Sequence, residues 1–178
     1  RCRGLGGNGS APCALWRING HLLYRYGVFA CAVTPLSDCP GAHGLDMSEH
    51  YVCITLDFDA VSLWIAMGHT SPTPISRGEF GAVAVPRLLE LFARHEIETT
   101  WYIPGLTIDT YEDVCRNIAA AGHEIGHHGY DHVSPGGLSY EEEKRQLLLG
   151  IECIERISGI RPRGYRSPAW DLSPHSIE

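Results

Sequence analysis

Two carboxylates one residue apart, Asp57 and Asp59, close the apolar run Tyr51-Val52-Cys53-Ile54-Thr55-Leu56, with Phe58 between them. Like charges this close are costly beside a core unless a cation or a shared proton compensates them. Roughly seventy residues on stands a candidate partner, His127-His128-Gly129-Tyr130-Asp131-His132. Neutral imidazoles and one carboxylate form an open site for zinc or another divalent ion, leaving positions for water and substrate. His128 and His132 are four apart, as in helical zinc motifs, but Gly129 and the preceding apolar segment argue for a loop. On that spacing alone, solvated loop histidines are an equal reading; beside a buried Asp-x-Asp, the metal reading prevails. His123 and His127 alternate away from His128 and read as structural or supporting.

The elements that must position these residues follow from periodicity. Tyr51–Leu56 reads as a strand buried on both faces and central to the sheet, carrying both carboxylates to its carboxyl end. Alternation puts Asp57 and Asp59 on one side and Phe58 on the other. Residues 60–81, rich in Gly, Ser, Thr and Pro, read as a loop holding Trp64, Ile65 and Met67. Val85, Leu88, Leu89 and Phe92 mark a helix over 82–95, with Pro86 tolerated only near its start. Thr99–Ile103 is a second strand, and Thr110 caps a helix that ends at Gly122. His123–His128 is a third strand. Ser139 and Glu142 form a capping box for a helix whose stripe is Leu147, Ile151, Ile154 and Ile157, stopped at Gly159. Arg163–Arg166 reads as a fourth strand, and Ser173-Pro174 as the start of a further helix. Acidic Glu141-Glu142-Glu143 fits a first helical turn.

Strand and helix in alternation imply a parallel sheet with right-handed crossovers, whose chemistry collects at the carboxyl ends of the strands. Asp57, Asp59, His128, His132 and Arg166 all fall on that rim. An open half-barrel would leave an unpaired edge, so the expectation is an α/β chain truncated within a barrel.

Composition sets limits. The 178 residues are 44% hydrophobic and 20% charged, the balance of a globular domain. A net charge of -7 argues against nucleic acid or anionic membrane as a partner. No apolar run reaches the roughly eighteen residues a membrane span needs. Residues 1–46 carry +2 and the rest -9. With one interrupted apolar stretch, Leu22–Val33, they are expected to be a poorly ordered extension, the domain occupying 47–178 from Met47. Seven cysteines without a CxxC pair favour a reducing compartment, hence a cytoplasmic location. Cys53, Cys115 and Cys153 read as buried small hydrophobes.

The ordered set Asp57-Phe58-Asp59, His128-Gly129-Tyr130-Asp131-His132 and Arg166-Ser167-Pro168-Ala169-Trp170 resembles the polysaccharide deacetylase (NodB-homology) family over residues 51–178. The resemblance implies a distorted (β/α) barrel and a metal-dependent hydrolase of non-peptide carbon–nitrogen bonds. It makes Asp57 the catalytic base and Arg166 its support, with Asp59, His128 and His132 as metal ligands, zinc above all. It implies a carbohydrate or other small-molecule substrate, most simply an N-acetylated amino-sugar polymer; a homo-oligomer is left open.

Two features depart from the commonest family pattern: Phe58 separates the aspartates, and Gly129 replaces Ser or Thr. Both resemble the branch of peptidoglycan-deacetylase-like proteins and relatives acting on cyclic imides and allantoin. The family's later motifs, with its general-acid histidine, are expected beyond Glu178. A cyclic-imide hydrolase and a catalytically incomplete metal-binding module are therefore the alternatives. Trp64 and Trp170 are read either as substrate-stacking walls or as packing, and Asp131 either as a ligand's partner or as a turn residue.

Overall fold

The computed structural model describes residues 52–177. The expectations for residues 1–46, the start at Met47 and the stretch Leu22–Val33 lie outside them.

Three short strands form the sheet: β1 (Thr55–Asp57), β2 (Thr100–Ile103) and β3 (Glu124–His127), in the order β1-β2-β3. Both pairings are parallel, with Leu56 opposite Trp101 and Trp101 opposite Ile125. Among the described residues, β2 is the central strand, not the segment before Asp57. Trp101 and Ile103 are fully buried, whereas residues 52–56 are only half-buried. An apolar β-branched run says that a strand forms, but not how many neighbours it pairs with.

The fourth strand is reduced to one bridge, between Tyr165 and His127. His127 N–H donates to Gly164 O at 2.8 Å, and Arg166 N–H donates to His127 O at 2.9 Å. Pro162, which has no donor, and Gly164, which has no side chain to pack, keep the segment from extending the ladder.

The helices are α1 (Val61–Ala66), α2 (Pro72–Ile75), α3 (Glu79–Arg94), α4 (Gly105–Thr110), α5 (Glu112–Ala120) and α6 (Tyr140–Ser158). Residues 60–81 are therefore not a loop. Ser71-Pro72 starts α2, a 3-10 turn spans Ser76–Gly78, and α3 begins three residues before the expected boundary. Gly78 is needed there because a Cβ would stand 2.5 Å from the backbone nitrogen of Val61. Pro86 lies inside α3 rather than near its start, so the helix gives up one backbone bond at that point. Val85 and Phe92 are buried by α3 regardless, which shows packing overriding propensity.

Thr110 does not cap α5. It ends α4, and its hydroxyl donates to Leu106 O at 2.7 Å within its own helix. The Ser139–Glu142 capping box is present, and Gly159 ends α6 in the left-handed region at φ 71°. The buried face of α6 is rotated from the expected stripe: Glu143, Gln146, Gly150, Cys153, Ile154 and Ile157 point inward, while Leu147 and Ile151 are half-buried. Glu141, Glu142 and Glu143 lie in the first turn of α6 as expected, with Glu143 buried. Glu143 accepts from the hydroxyls of Ser173 and Ser176. Ser173-Pro174 forms a turn in which Ser173 Oγ accepts from His175 N–H at 2.9 Å, not a helix.

The core gathers Phe58, Phe92, Trp101, Ile103, Ile118 and Ile154 with their neighbours. Cys115 and Cys153 are buried in it as expected, and Cys53 is half-buried.

Candidate metal centre

Phe58, fully buried, donates its backbone N–H to Tyr102 O at 2.9 Å and seats the turn beyond β1. The chain then leaves the sheet at Asp59. Its carbonyl accepts three donors: Ser62 N–H at 3.0 Å, Ser62 Oγ at 2.5 Å and Thr107 Oγ1 at 2.5 Å. Both hydroxyls are completely buried and lie 3.0 Å apart. The next residue, Ala60, takes φ 47°, a conformation a side chain rarely adopts. Asp59 is therefore fixed through its backbone, and its carboxylate turns toward β3.

β3 ends at His127, and the histidine loop begins. His127 is structural, as expected: Nε2 lies 2.9 Å from Leu147 O and Nδ1 accepts from Gly129 N–H at 3.1 Å. A carbonyl only accepts, so the proton is on Nε2. Gly150 is small because a Cβ there would lie 2.4 Å from that nitrogen. Gly129 has φ 71°, where the serine or threonine commoner in the family would be strained. His123 packs at the far end of the sheet, its Nδ1 accepting from Thr99 N–H at 3.2 Å.

His128 and His132 converge on Asp59. His128 Nε2 is 3.4 Å from Asp59 Oδ1, and His132 Nε2 is 3.5 Å from Oδ2. The two rings sit 5.0 Å apart at 73°. His128 Nδ1 is 2.6 Å from Arg166 O, so it carries the proton and leaves Nε2 with its lone pair toward the carboxylate.

Asp57 stands beside this trio. Arg166 donates to Asp57 Oδ1, and its other terminal nitrogen donates to Thr55 Oγ1 at 2.8 Å. The guanidinium also lies over the Tyr102 ring, 4.1 Å from its centroid. Asp57, Asp59, His128, His132 and Arg166 are thus all brought to one rim.

The donor set fits a divalent cation. One ligand atom from each of Asp59, His128 and His132 lies within 4.8 Å of the others. Asp59 Oδ1 is buried and takes no hydrogen bond from any described residue, although a histidine nitrogen faces it. Two lone pairs directed at each other repel unless a cation or a proton lies between them, and the convergence of three donors suits a cation. In the metal-free protein, burial pushes the Asp59 carboxyl up to about 6, against the pull of His128, and the Asp57 charge adds to the rise. Burial likewise lowers both His128 and His132, against the Asp59 and Asp57 charges respectively, and holds them neutral as ligands must be.

A parallel strand-helix sheet with an Asp-His-His cluster at its carboxyl rim, and an arginine-held aspartate alongside, defines an α/β protein with a candidate divalent-metal site. Comparison with known proteins names the family. The polysaccharide deacetylase profile matches residues 52–177, and the chain belongs to that family. It is 41% identical over 128 residues to a peptidoglycan deacetylase of Helicobacter pylori, covering 70% of this chain and 44% of that protein. It is 34% identical over 132 residues to a peptidoglycan deacetylase-like protein of Gibberella zeae, covering 71% and 39%. A solved structure described as a polysaccharide deacetylase from Mycobacterium smegmatis superposes with a TM-score of 0.67 at 36% identity, over 70% of this chain and 45% of that one. The chain therefore spans less than half the length of these relatives.

Several residues that build the site escaped the sequence reading. Ser62 and Thr107 hold Asp59, and neither lies in a motif. Gln146 holds the histidine loop: its Oε1 accepts from both Tyr130 N–H and Asp131 N–H at 3.1 Å. Of its two readings Asp131 fits the turn residue: its carboxylate accepts from Gln146 Nε2 at 2.8 Å and from Val133 N–H at 3.3 Å, neither of them a histidine. Trp170 is 65% exposed, which goes against its packing reading; Trp64 lies against His69 and under Arg77.

Proposed function

We propose that the protein is a zinc-dependent N-deacetylase of an amino-sugar polymer, hydrolysing an acetamide carbon–nitrogen bond and releasing acetate. The observation that carries this is the buried, unbonded Asp59 Oδ1 facing His128 with His132 beside it, next to an Asp57 anchored by Arg166. Two imidazole nitrogens and one carboxylate oxygen suit zinc and leave positions open. Bound there, the ion would supply Lewis acidity toward the amide carbonyl. Asp57 is the base: Arg166 engages Oδ1, and Oδ2 is the oxygen that takes the proton from the attacking water. Arg166 is held at three points, by Asp57, Thr55 and the Tyr102 face, so the base is oriented before substrate arrives. The names of the relatives support an N-acetylated glycan over a cyclic imide as substrate.

The test pairs zinc content with acetate release from N-acetylglucosamine oligomers and from peptidoglycan. Asp57→Asn is expected to keep its zinc and lose acetate release, whereas His132→Ala loses both. Zinc lost equally from both variants would remove Asp57 from the role of base. Ring opening of a cyclic imide without acetate release would overturn the substrate.

A further inference from the structure

We infer that Gln146 is a positioning residue for the metal centre, holding the His128–His132 loop in ligating shape through three hydrogen bonds; this rests on the metal-site reading above. Gln146 is 8% exposed and projects from α6, the helix packed against β3. Its single carbonyl oxygen accepts two consecutive backbone N–H groups, those of Tyr130 and Asp131, each at 3.1 Å. Its amide nitrogen donates to Asp131 Oδ2 at 2.8 Å. All three partners lie between the two histidine ligands. Immediately after them, His132 sits at φ 63°, left-handed for a residue with a side chain. Such a conformation persists only where neighbours over-determine it, and the Gln146 bonds are the neighbours that do so.

The chemistry requires an amide. Leucine of similar size would leave two buried N–H groups without an acceptor. Glutamate would keep the acceptor but set a second carboxylate against Asp131. Gly150, one turn further along α6, lets the helix close on His127, so the amide reaches the loop. The polarity of the pair can also be exchanged. With Gln146→Glu and Asp131→Asn together, the new carboxylate accepts the backbone donors and the new asparagine donates to it, while the asparagine oxygen still faces Val133 N–H.

The experiment measures zinc affinity of the full chain by competition with a chromogenic chelator, alongside the melting temperature of each metal-free protein. Gln146→Glu is expected to weaken zinc binding about 10- to 100-fold, the usual loss when a ligand's hydrogen-bonded support is removed. The double variant Gln146→Glu/Asp131→Asn is expected to return affinity to near the parent value. A merely structural glutamine predicts otherwise: a lower melting temperature with affinity unmoved, and that result overturns the proposal. Should Gln146→Glu fail to fold, Gln146→Asn, one methylene too short to reach both donors, carries the same expectation and the same refutation. His132→Ala separates the two levels. If it binds zinc as tightly as the parent, the metal reading itself is wrong; if it loses zinc while Gln146→Glu keeps it, only the positioning role falls.

Discussion

Asp59→Asn is expected to stabilise the metal-free protein while abolishing its metal binding. The Asp59 carboxyl has its pKa raised from 3.8 to about 6, mainly because burial disfavours its charge. A rise of roughly two units corresponds to about 3 kcal/mol carried by the folded state when the carboxylate is ionised. The sign follows from the direction of the rise. Below about pH 4 the group is protonated in folded and unfolded chains alike and imposes nothing. Between about pH 4 and 6 the unfolded chain has ionised while the folded one still holds its proton, so stability falls across that window and levels off above it. Asparagine keeps the shape without the charge, so its advantage is fully present at pH 8 and vanishes near pH 4. For a domain of this size, about 3 kcal/mol corresponds to roughly 10 °C in melting temperature. The assay is urea unfolding and thermal melting of chelator-treated parent and variant at pH 8 and pH 4, repeated with zinc at pH 8. The parent should gain stability with zinc and the variant should not. An Asp59→Asn protein less stable than the parent at pH 8 without metal would refute the idea that this carboxylate awaits a cation.

Two further outcomes follow from the residues around the ligands. Thr107→Val removes one of the three donors to the Asp59 carbonyl and is expected to lower zinc affinity about 10-fold, the low end for lost outer-shell support, as read by chelator competition. Gly150→Ala places a Cβ 2.4 Å from His127 Nε2 and 2.9 Å from Gly129 O, and is expected to lower stability by about 1–3 kcal/mol in urea unfolding, as overpacking does.

The rim was legible in the sequence because its residues are chemically scarce. An aspartate pair after an apolar run and two histidines across a glycine have few uses other than metal chemistry, and Asp57, Asp59, His128, His132 and Arg166 do meet. The scaffold was less legible where the deciding force is tertiary. Pro86 marks a helix start by local rules, yet α3 runs through it because Val85 and Phe92 are buried on its inner face. Residues 60–81 carry loop composition, yet three helical pieces form there, seated by the contact of Gly78 on Val61. The inner face of α6 could not be read from its aliphatic residues, since Glu143 and Gln146 displace Leu147 and Ile151 from it. Buried polar side chains obey their partners rather than a hydrophobic period, and those partners come from loops far away in sequence.

The backbone around the site shows the same economy of fixed points. Ala60, His132, Ala169 and Trp170 all have positive φ without being glycine, and each adjoins a segment that carries the site. Such residues cost on the order of 1–3 kcal/mol each and survive only under external constraint. At Ala60 the constraint is the Ser62 and Thr107 hydroxyls on the carbonyl of Asp59. At His132 it is Gln146. At Ala169 and Trp170 it is the Ser167 turn, where Trp170 N–H donates to Ser167 O at 3.1 Å and Ser134 Oγ ties Asp171 at 2.7 Å. Every one of these constraints is a hydrogen bond among protein groups, and none needs the metal. The ligand geometry is therefore held by the fold in advance, so that binding energy is not consumed in ordering the loops. The fixed points have a geometric reason: Asp57 and Asp59 leave the end of β1 while His128 and His132 leave the end of β3, so two segments distant in sequence must be held in place for the four side chains to meet.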